Sequence, residues 1–309
     1  MSIKATNLKK KYGNKYAVKD ISLEIPKAKT IGLLGPNGSG KTTTIKMLTG
    51  QISPTSGSVE YDGISVKKLG NEINGKIGIM PQEVVVWDHL TIAENLDFSG
   101  KLYNLKKDFL EKRKTMLIKK LKLEPELKTL ARNLSGGYRR RLNLAISIIH
   151  NPETIFLDEP TPGVDPQSRR AMWDFIYEIR ESEKHSILLT DHYLDEAEKV
   201  CDYIIIIDHG EIIAQGTFNE LKKEYAPGQL LKIELKDDMT KKFREVIGEE
   251  FKKIVFEKNT LALNSNTPEK DIPKILKILN ERNLEFSDIS LKDSSLEDIF
   301  LLLTGREIR

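Results

Sequence analysis

The sequence has almost no cysteine: Cys201 is alone among 309 residues. One thiol excludes an intrachain disulfide framework and a cysteine-rich metal site. Val200 precedes it and an apolar run follows, so a buried thiol is expected. Long apolar runs are missing too. The longest, such as Tyr203 to Ile207, fall far short of the roughly 20 residues that span a bilayer, so membrane association is expected only through a partner. The opening MSIKATNLKKKYG has no apolar core and no small-residue cleavage site, which predicts a cytoplasmic chain without a secretory leader. Charge of one sign is scarce as well. Lys plus Arg number 49 against 46 Asp plus Glu, a net charge of +3. Nucleic-acid binders concentrate basic charge on one face, and this balance argues against that class. What the chain does have is hydrophobic residues, 39% of the total, enough for real cores. Its length suits two domains, since one core rarely grows past about 250–300 residues.

The order of patterns suggests how those domains divide. IKATNLKKKY and AVKDISLEIPKAKT read as two antiparallel strands joined at Gly13-Asn14. Thr30 to Leu34 is a short apolar strand, followed by a glycine loop and a helix carrying Ile45, Met47 and Leu48. Strands are also expected over Gly57 to Gly63, Lys76 to Met80, Thr154 to Leu157, Ser186 to Thr190 and Asp202 to Asp208. A largely helical insert, about 92–150, interrupts them, with breaks at Asn104 and Pro125. Helices over Ser168 to Arg180 and Leu194 to Val200 complete an α/β pattern, a mostly parallel sheet covered on both faces. Near Tyr225-Ala226-Pro227-Gly228 the character changes. Strands Leu230 to Leu235, Lys253 to Phe256, Thr260 to Leu263 and Glu285 to Leu291 alternate with helices Thr240 to Ile247 and Asp271 to Glu281, before a terminal helix Leu296 to Leu303. The order βαββαβ predicts a small ferredoxin-like α+β domain over 226–309, after a first domain over 1–225.

The chemistry concentrates in two places. Gly35, Pro36, Asn37, Gly38, Ser39, Gly40, Lys41 and Thr42 match the phosphate-loop pattern in full, between a strand and a helix. Glycines let backbone N–H groups crowd around phosphate oxygens. The helix N-terminus adds partial positive charge. Lys41 supplies a point charge for the β- and γ-phosphates, the Thr42 hydroxyl is a magnesium ligand, and Thr43 follows in the first helical turn. The apolar strand Ile155-Phe156-Leu157 ends in Asp158 and Glu159. Asp158 is placed for magnesium and Glu159 to polarise the water that attacks the γ-phosphate. These residues alone specify a nucleoside triphosphate and Mg2+, not the use of the energy.

The segment Leu134-Ser135-Gly136-Gly137, upstream of that strand, supplies the use. With the motifs above, residues 2 to 220 resemble the ATP-binding subunit of an ATP-binding-cassette (ABC) transporter, a P-loop NTPase. GLLGPNGSGKTTTIKMLTG, LTDHYLDEAE and SLEDIFLLLTGR are similar to the ABC-2-type, multidrug and daunorubicin-like export branch. The resemblance implies that Ser135, Gly136 and Gly137 cap the γ-phosphate of ATP bound to the other cassette of a head-to-tail dimer. It implies that Tyr12 stacks on adenine, Gln82 touches magnesium and the attacking water, Asp165 crosses to the partner cassette, and His192 senses the γ-phosphate. Val84 to Leu90 and Trp87 would face a separate integral-membrane permease, on the inner face of the cell membrane. A homodimer of cassettes is the simpler assembly, and Arg139, Arg140 and Arg141 read as a solvated face or salt-bridge partners rather than a nucleic-acid patch. Two residues depart from the family pattern: Tyr138 replaces the usual glutamine, and Pro162 a small residue such as serine. The competing readings are a soluble ABC ATPase in translation or DNA maintenance, which usually has two cassettes or a long coiled-coil insert, and a regulatory nucleotide-binding module, which should lack Glu159 or His192.

Overall fold

The computed structural model of the chain describes residues 1–191, 193–236, 254–257, 260–281 and 285–304. The chain divides into two units, Met1–Ile212 and Ile213–Arg309.

The first unit opens with an antiparallel hairpin of β1 (Ile3–Tyr12) and β2 (Lys15–Ile25). Tyr12 pairs with Lys15 across Gly13-Asn14, and Gly13 takes the positive φ, 56°, that a two-residue hairpin loop requires. The other edge of β1 pairs with β4 (Ser56–Tyr61), which turns into β5 (Ile64–Ser65). A second set of strands is parallel: β3 (Thr30–Leu34), β6 (Ile77–Met80), β7 (Thr154–Asp158), β8 (Ser186–Thr190) and β9 (Tyr203–Asp208), in the order β9-β3-β8-β7-β6. β3, β7 and β8 are buried along their whole length. Strands covered on both faces read as continuous apolar runs, which is why these were legible. β10 (Glu211–Gly216), absent from the sequence expectation, connects the two sets through a Glu211–Asp20 pairing with β2.

Helix starts are written in side-chain chemistry. α1 (Lys41–Leu48) follows Gly40, whose φ is 110°. After the single turn α2 (Val66–Leu69), the helical insert contains α3 (Ile92–Leu102), α4 (Lys107–Lys120) and α5 (Gly136–Ile148). Thr91 and Glu94 form a capping box at α3. α6 (Pro166–Glu183) begins two residues before the expected Ser168, because Asp165 accepts the Ser168 N–H and Pro166 is already preorganised for the first turn. α7 (Leu194–Val200) follows β8. The core joins Ile21, Ile31, Leu33, Met47, Phe156 and Ile205, and each such burial contributes roughly 1.5–3 kcal/mol. Cys201 is half-buried, with its sulfur against Gly32.

The second unit contains α8 (Phe218–Tyr225), β11 (Gln229–Leu235), β12 (Ile254–Glu257), β13 (Thr260–Ser265), α9 (Pro268–Glu281), β14 (Phe286–Asp293) and α10 (Leu296–Thr304). The sheet order is β12-β13-β11-β14, antiparallel at each pairing, the strand order of a ferredoxin-like sandwich. α9 lays Ile275, Ile278 and Leu279 on Leu231, Ile233 and Leu261. The helix expected over Thr240 to Ile247 and the Lys258-Asn259 turn lie outside the described residues. α8 packs on α10, so the division of the chain falls before the Tyr225–Gly228 turn rather than at it. Asp298 is buried between Lys232, 3.1 Å away, and Lys292, 3.0 Å away. Burial pushes its carboxyl up, but the Ser295 N–H and hydroxyl and the two ammonium groups outweigh it and hold the pKa low.

Candidate functional site

The phosphate loop is built on close approach. A Cβ on Gly40 would lie 2.6 Å from the Ala17 carbonyl oxygen, and one on Gly35 would meet Ser39 Oγ at 2.6 Å. Gly38 has φ 80°. Pro36 and Ser39 are buried beneath the loop, where Ser39 N–H donates to the Pro36 carbonyl at 3.1 Å, while Asn37 and Gly38 face outward. Lys41 is 5% exposed. Its ammonium donates to the carbonyls of Gly35 at 2.7 Å and Pro36 at 3.2 Å, and stands 4.0 Å from Glu159 Oε1. Burial lowers its pKa, opposed by Glu159 and Asp158.

A cavity of about 370 Å3 opens over this loop. Asn37, Gly38, Gly40, Lys41, Thr42 and Thr43 form its floor, and Gln82 and Glu159 one wall. Tyr12, half exposed at the end of β1, forms the other with Tyr16, Lys15 and Ala17. Gln82 Nε2 donates to Glu159 Oε2 at 2.8 Å. Glu159 has φ 51°, left-handed backbone that a non-glycine residue adopts at a cost of about 1–3 kcal/mol. Its N–H is held by Thr190 Oγ1 at 2.9 Å and the Thr190 carbonyl at 3.2 Å. The same hydroxyl donates to Asp158 Oδ1 at 2.8 Å.

The donor set fits Mg2+. Thr42 hydroxyl, Gln82 amide and Asp158 carboxylate are hard oxygen donors, and this ion characteristically takes few protein ligands and completes its shell with phosphate and water. Among the described residues no cluster of three or more His, Cys, Asp or Glu could hold a metal unaided.

The signature segment lies elsewhere. Ser135 lines a second cavity of about 360 Å3, with Tyr138, Arg141, Asp165 and Ser168. Ser135 caps α5 and Gly136 is its first residue, exposed. Gly137 is buried, and a Cβ there would lie 2.5 Å from Asp165 Oδ2. Within its own chain, Asp165 thus packs on the signature and caps α6, and its hydrogen bonds to Ser168 hold its pKa low. His192 lies outside the described residues.

The arginine run departs from the sequence expectation. Arg139 does pair with Asp88, at 2.7 Å. Arg140 and Arg141 are not a solvated face: they are 5% and 7% exposed. Arg141 donates to the carbonyls of Leu121 and Lys122 at 2.8 and 2.9 Å and lies over the Tyr138 ring. Arg140 donates to the carbonyls of Gln82, Glu159 and Pro160. A helix anchored on other elements buries the face that carries Arg140, and no local pattern reveals which arginine that is. Trp87 is half-buried, edge-on to Phe98 with ring centroids 4.6 Å apart.

Comparison with known proteins gives the family and the fold. Residues 18–162 match the family model described as ABC transporter. The chain is 33% identical to the linearmycin resistance ATP-binding protein LnrL of Bacillus subtilis (strain 168), over 99% of both chains. It is 34% identical to the daunorubicin/doxorubicin resistance ATP-binding protein DrrA of Streptomyces peucetius, over 98% of this chain and 92% of that one. It is 33% identical to the Nod factor export ATP-binding protein I of Ralstonia nicotianae, over 98% of this chain and 93% of that one. Among solved structures, an ATP-binding subunit of an ABC transporter superposes with a TM-score of 0.67 at 25% identity, covering 73% of this chain and 93% of that one. A dimeric bacterial ABC transporter cassette superposes with a TM-score of 0.64 at 26% identity, covering 70% and 98%. The chain belongs to the ABC transporter family, as an ATP-binding, ATP-hydrolysing subunit.

Proposed function

We propose that two copies of this chain close head to tail on two MgATP molecules and drive export through a separate ABC-2-type integral-membrane permease. The observation that carries the reading is the division of the motifs between two cavities. One holds the phosphate loop with Gln82 and Glu159; the other holds Ser135 and Asp165. One chain then presents half of each of two shared sites. Tyr12 stacks on adenine, backbone N–H groups and Lys41 hold the phosphates, and Ser135, Gly136 and Gly137 of the second copy cover the γ-phosphate. Thr42, Gln82 and Asp158 would hold Mg2+, which when bound neutralises charge on the phosphate oxygens. Glu159, oriented by Gln82, accepts the proton of the attacking water, and His192 contacts the γ-phosphate. Catalysis is positioning and electrostatics.

Support for the permease comes from a third cavity, about 500 Å3, whose lining includes Ile79, Pro81, Val85, Trp87, Leu102 and Tyr103. Val85 and Leu102 are more than half exposed, an apolar surface beside the Gln82 segment suited to a partner helix. No described helix is long and apolar enough to cross a membrane. The names of the relatives, two of drug-resistance proteins and one of an exporter, support export and placement on the inner face of the cell membrane.

Light scattering of the Glu159→Gln protein tests the shared site. Slowed hydrolysis should trap a dimer in MgATP, and adding Ser135→Arg should return it to monomer. A protein that binds MgATP yet stays monomeric, alone and with its membrane partner, sinks the reading.

A further inference from the structure

Arg140 sits one turn inside α5, the helix that the signature segment opens. It is 5% exposed, and its guanidinium donates to three backbone carbonyls of the hydrolytic wall, within electrostatic reach of the Glu159 and Asp158 carboxylates. Nε donates to the Pro160 carbonyl at 2.8 Å, and the two terminal nitrogens to the carbonyls of Gln82 and Glu159. Those last two residues are the pair joined by the 2.8 Å bond from Gln82 Nε2 to Glu159 Oε2. Glu159 is therefore gripped from both sides of its left-handed backbone: Thr190 holds its N–H and Arg140 its carbonyl. A planar fork with several fixed donors is suited to bridging three carbonyls at once; an ammonium is not.

We propose that Arg140 is a positioning residue that fixes the Gln82–Glu159 pair in its water-activating arrangement and fastens that pair to the signature helix. It touches neither nucleotide nor water, and acts through the two side chains whose backbones it holds. The proposal rests on the reading of Glu159 and Gln82 as the residues that orient the attacking water. Through α5, the segment that covers one nucleotide is tied to the pair that hydrolyses another.

The test compares full-length wild type, Arg140→Lys, Arg140→Gln, Gln82→Ala and the Gln82→Ala/Arg140→Lys double variant. MgATP affinity, kcat and KM are measured, and dimerisation in MgATP is followed with Glu159→Gln added. The expected result is a kcat lowered about tenfold or more in Arg140→Lys, with KM and affinity within about twofold, the mark of an interaction made in the transition state. Dimerisation persists, and the double variant is no slower than the worse single one, because both lesions act on one pair. Several outcomes overturn the proposal: a wild-type kcat in both arginine variants, a fall in kcat matched by lost MgATP binding or lost fold, loss of dimerisation, or independent multiplication of the two effects. The hydrolase reading fails separately, and visibly, if Glu159→Gln turns over at the wild-type rate.

Discussion

At the scale of single residues, the phosphate loop was legible because its chemistry is steric. Gly40 must be glycine because a Cβ there would lie 2.6 Å from the Ala17 carbonyl oxygen, and the following Lys41 is fixed by spacing. Lys41→Ala removes a buried charge-assisted donor worth roughly 1.5–3 kcal/mol, so MgATP affinity should fall about 10- to 100-fold in a nucleotide titration; unchanged affinity would remove Lys41 from the site. Arg140 was illegible for the opposite reason. Three consecutive arginines point in three directions, and only the tertiary fold selects one. His150 is a second hidden residue, 8% exposed and stacked on Tyr103 with ring centroids 3.8 Å apart. Burial holds its pKa down to about 4, against the hydrogen bond with the Ile77 carbonyl and with help from Arg113. As pH falls from 6.5 to about 4, the unfolded chain takes up a proton that the folded chain refuses. Stability therefore falls with pH across that window, by at most about 1.4 kcal/mol per unit. His150→Phe keeps an aromatic stack and should flatten this slope in urea unfolding at pH 7 and pH 5. An identical slope in the variant would show that other groups carry it.

At the scale of elements, two helix starts share one chemistry. Thr91-x-x-Glu94 opens α3 and Thr217-x-x-Glu220 opens α8, and neither cap entered the sequence expectation. β10 was missed because EIIAQG alternates only weakly and follows directly on a turn. α3 has a further task. Asn95 is fully buried, accepts the Trp87 N–H at 2.9 Å and donates to the carbonyls of Trp87, Leu90 and Thr91. One side chain thus fastens the 87–91 segment to the helical insert. Asn95→Leu orphans those groups, at about 1–3 kcal/mol for each left buried. The variant should keep its MgATP affinity yet lose transport-coupled hydrolysis when assembled with the permease. Full coupling in that assembly would mean that the segment needs no anchor.

At the scale of the whole molecule, the described residues include one hydrophobic core under the phosphate loop and another beneath α9. Calorimetry should show two transitions. MgATP should raise the one belonging to Met1–Ile212, by roughly 2.7 kcal/mol of stability at a hundredfold excess over Kd, and leave the other in place. A single transition shifted as one would contradict this. The fold class was visible here because the βαββαβ order and the apolar strands are one-dimensional signals; the separation of Ser135 from Lys41 is not one, and was expected only through the family resemblance. Ser135 and Lys41 line different cavities of one chain. For a head-to-tail dimer the consequence is genetic. In a mixed pair of Lys41→Ala and Ser135→Arg chains, both lesions fall in the same composite site, and the other is assembled from two undamaged halves. Two alleles that are each inactive alone should therefore complement one another in the same cell.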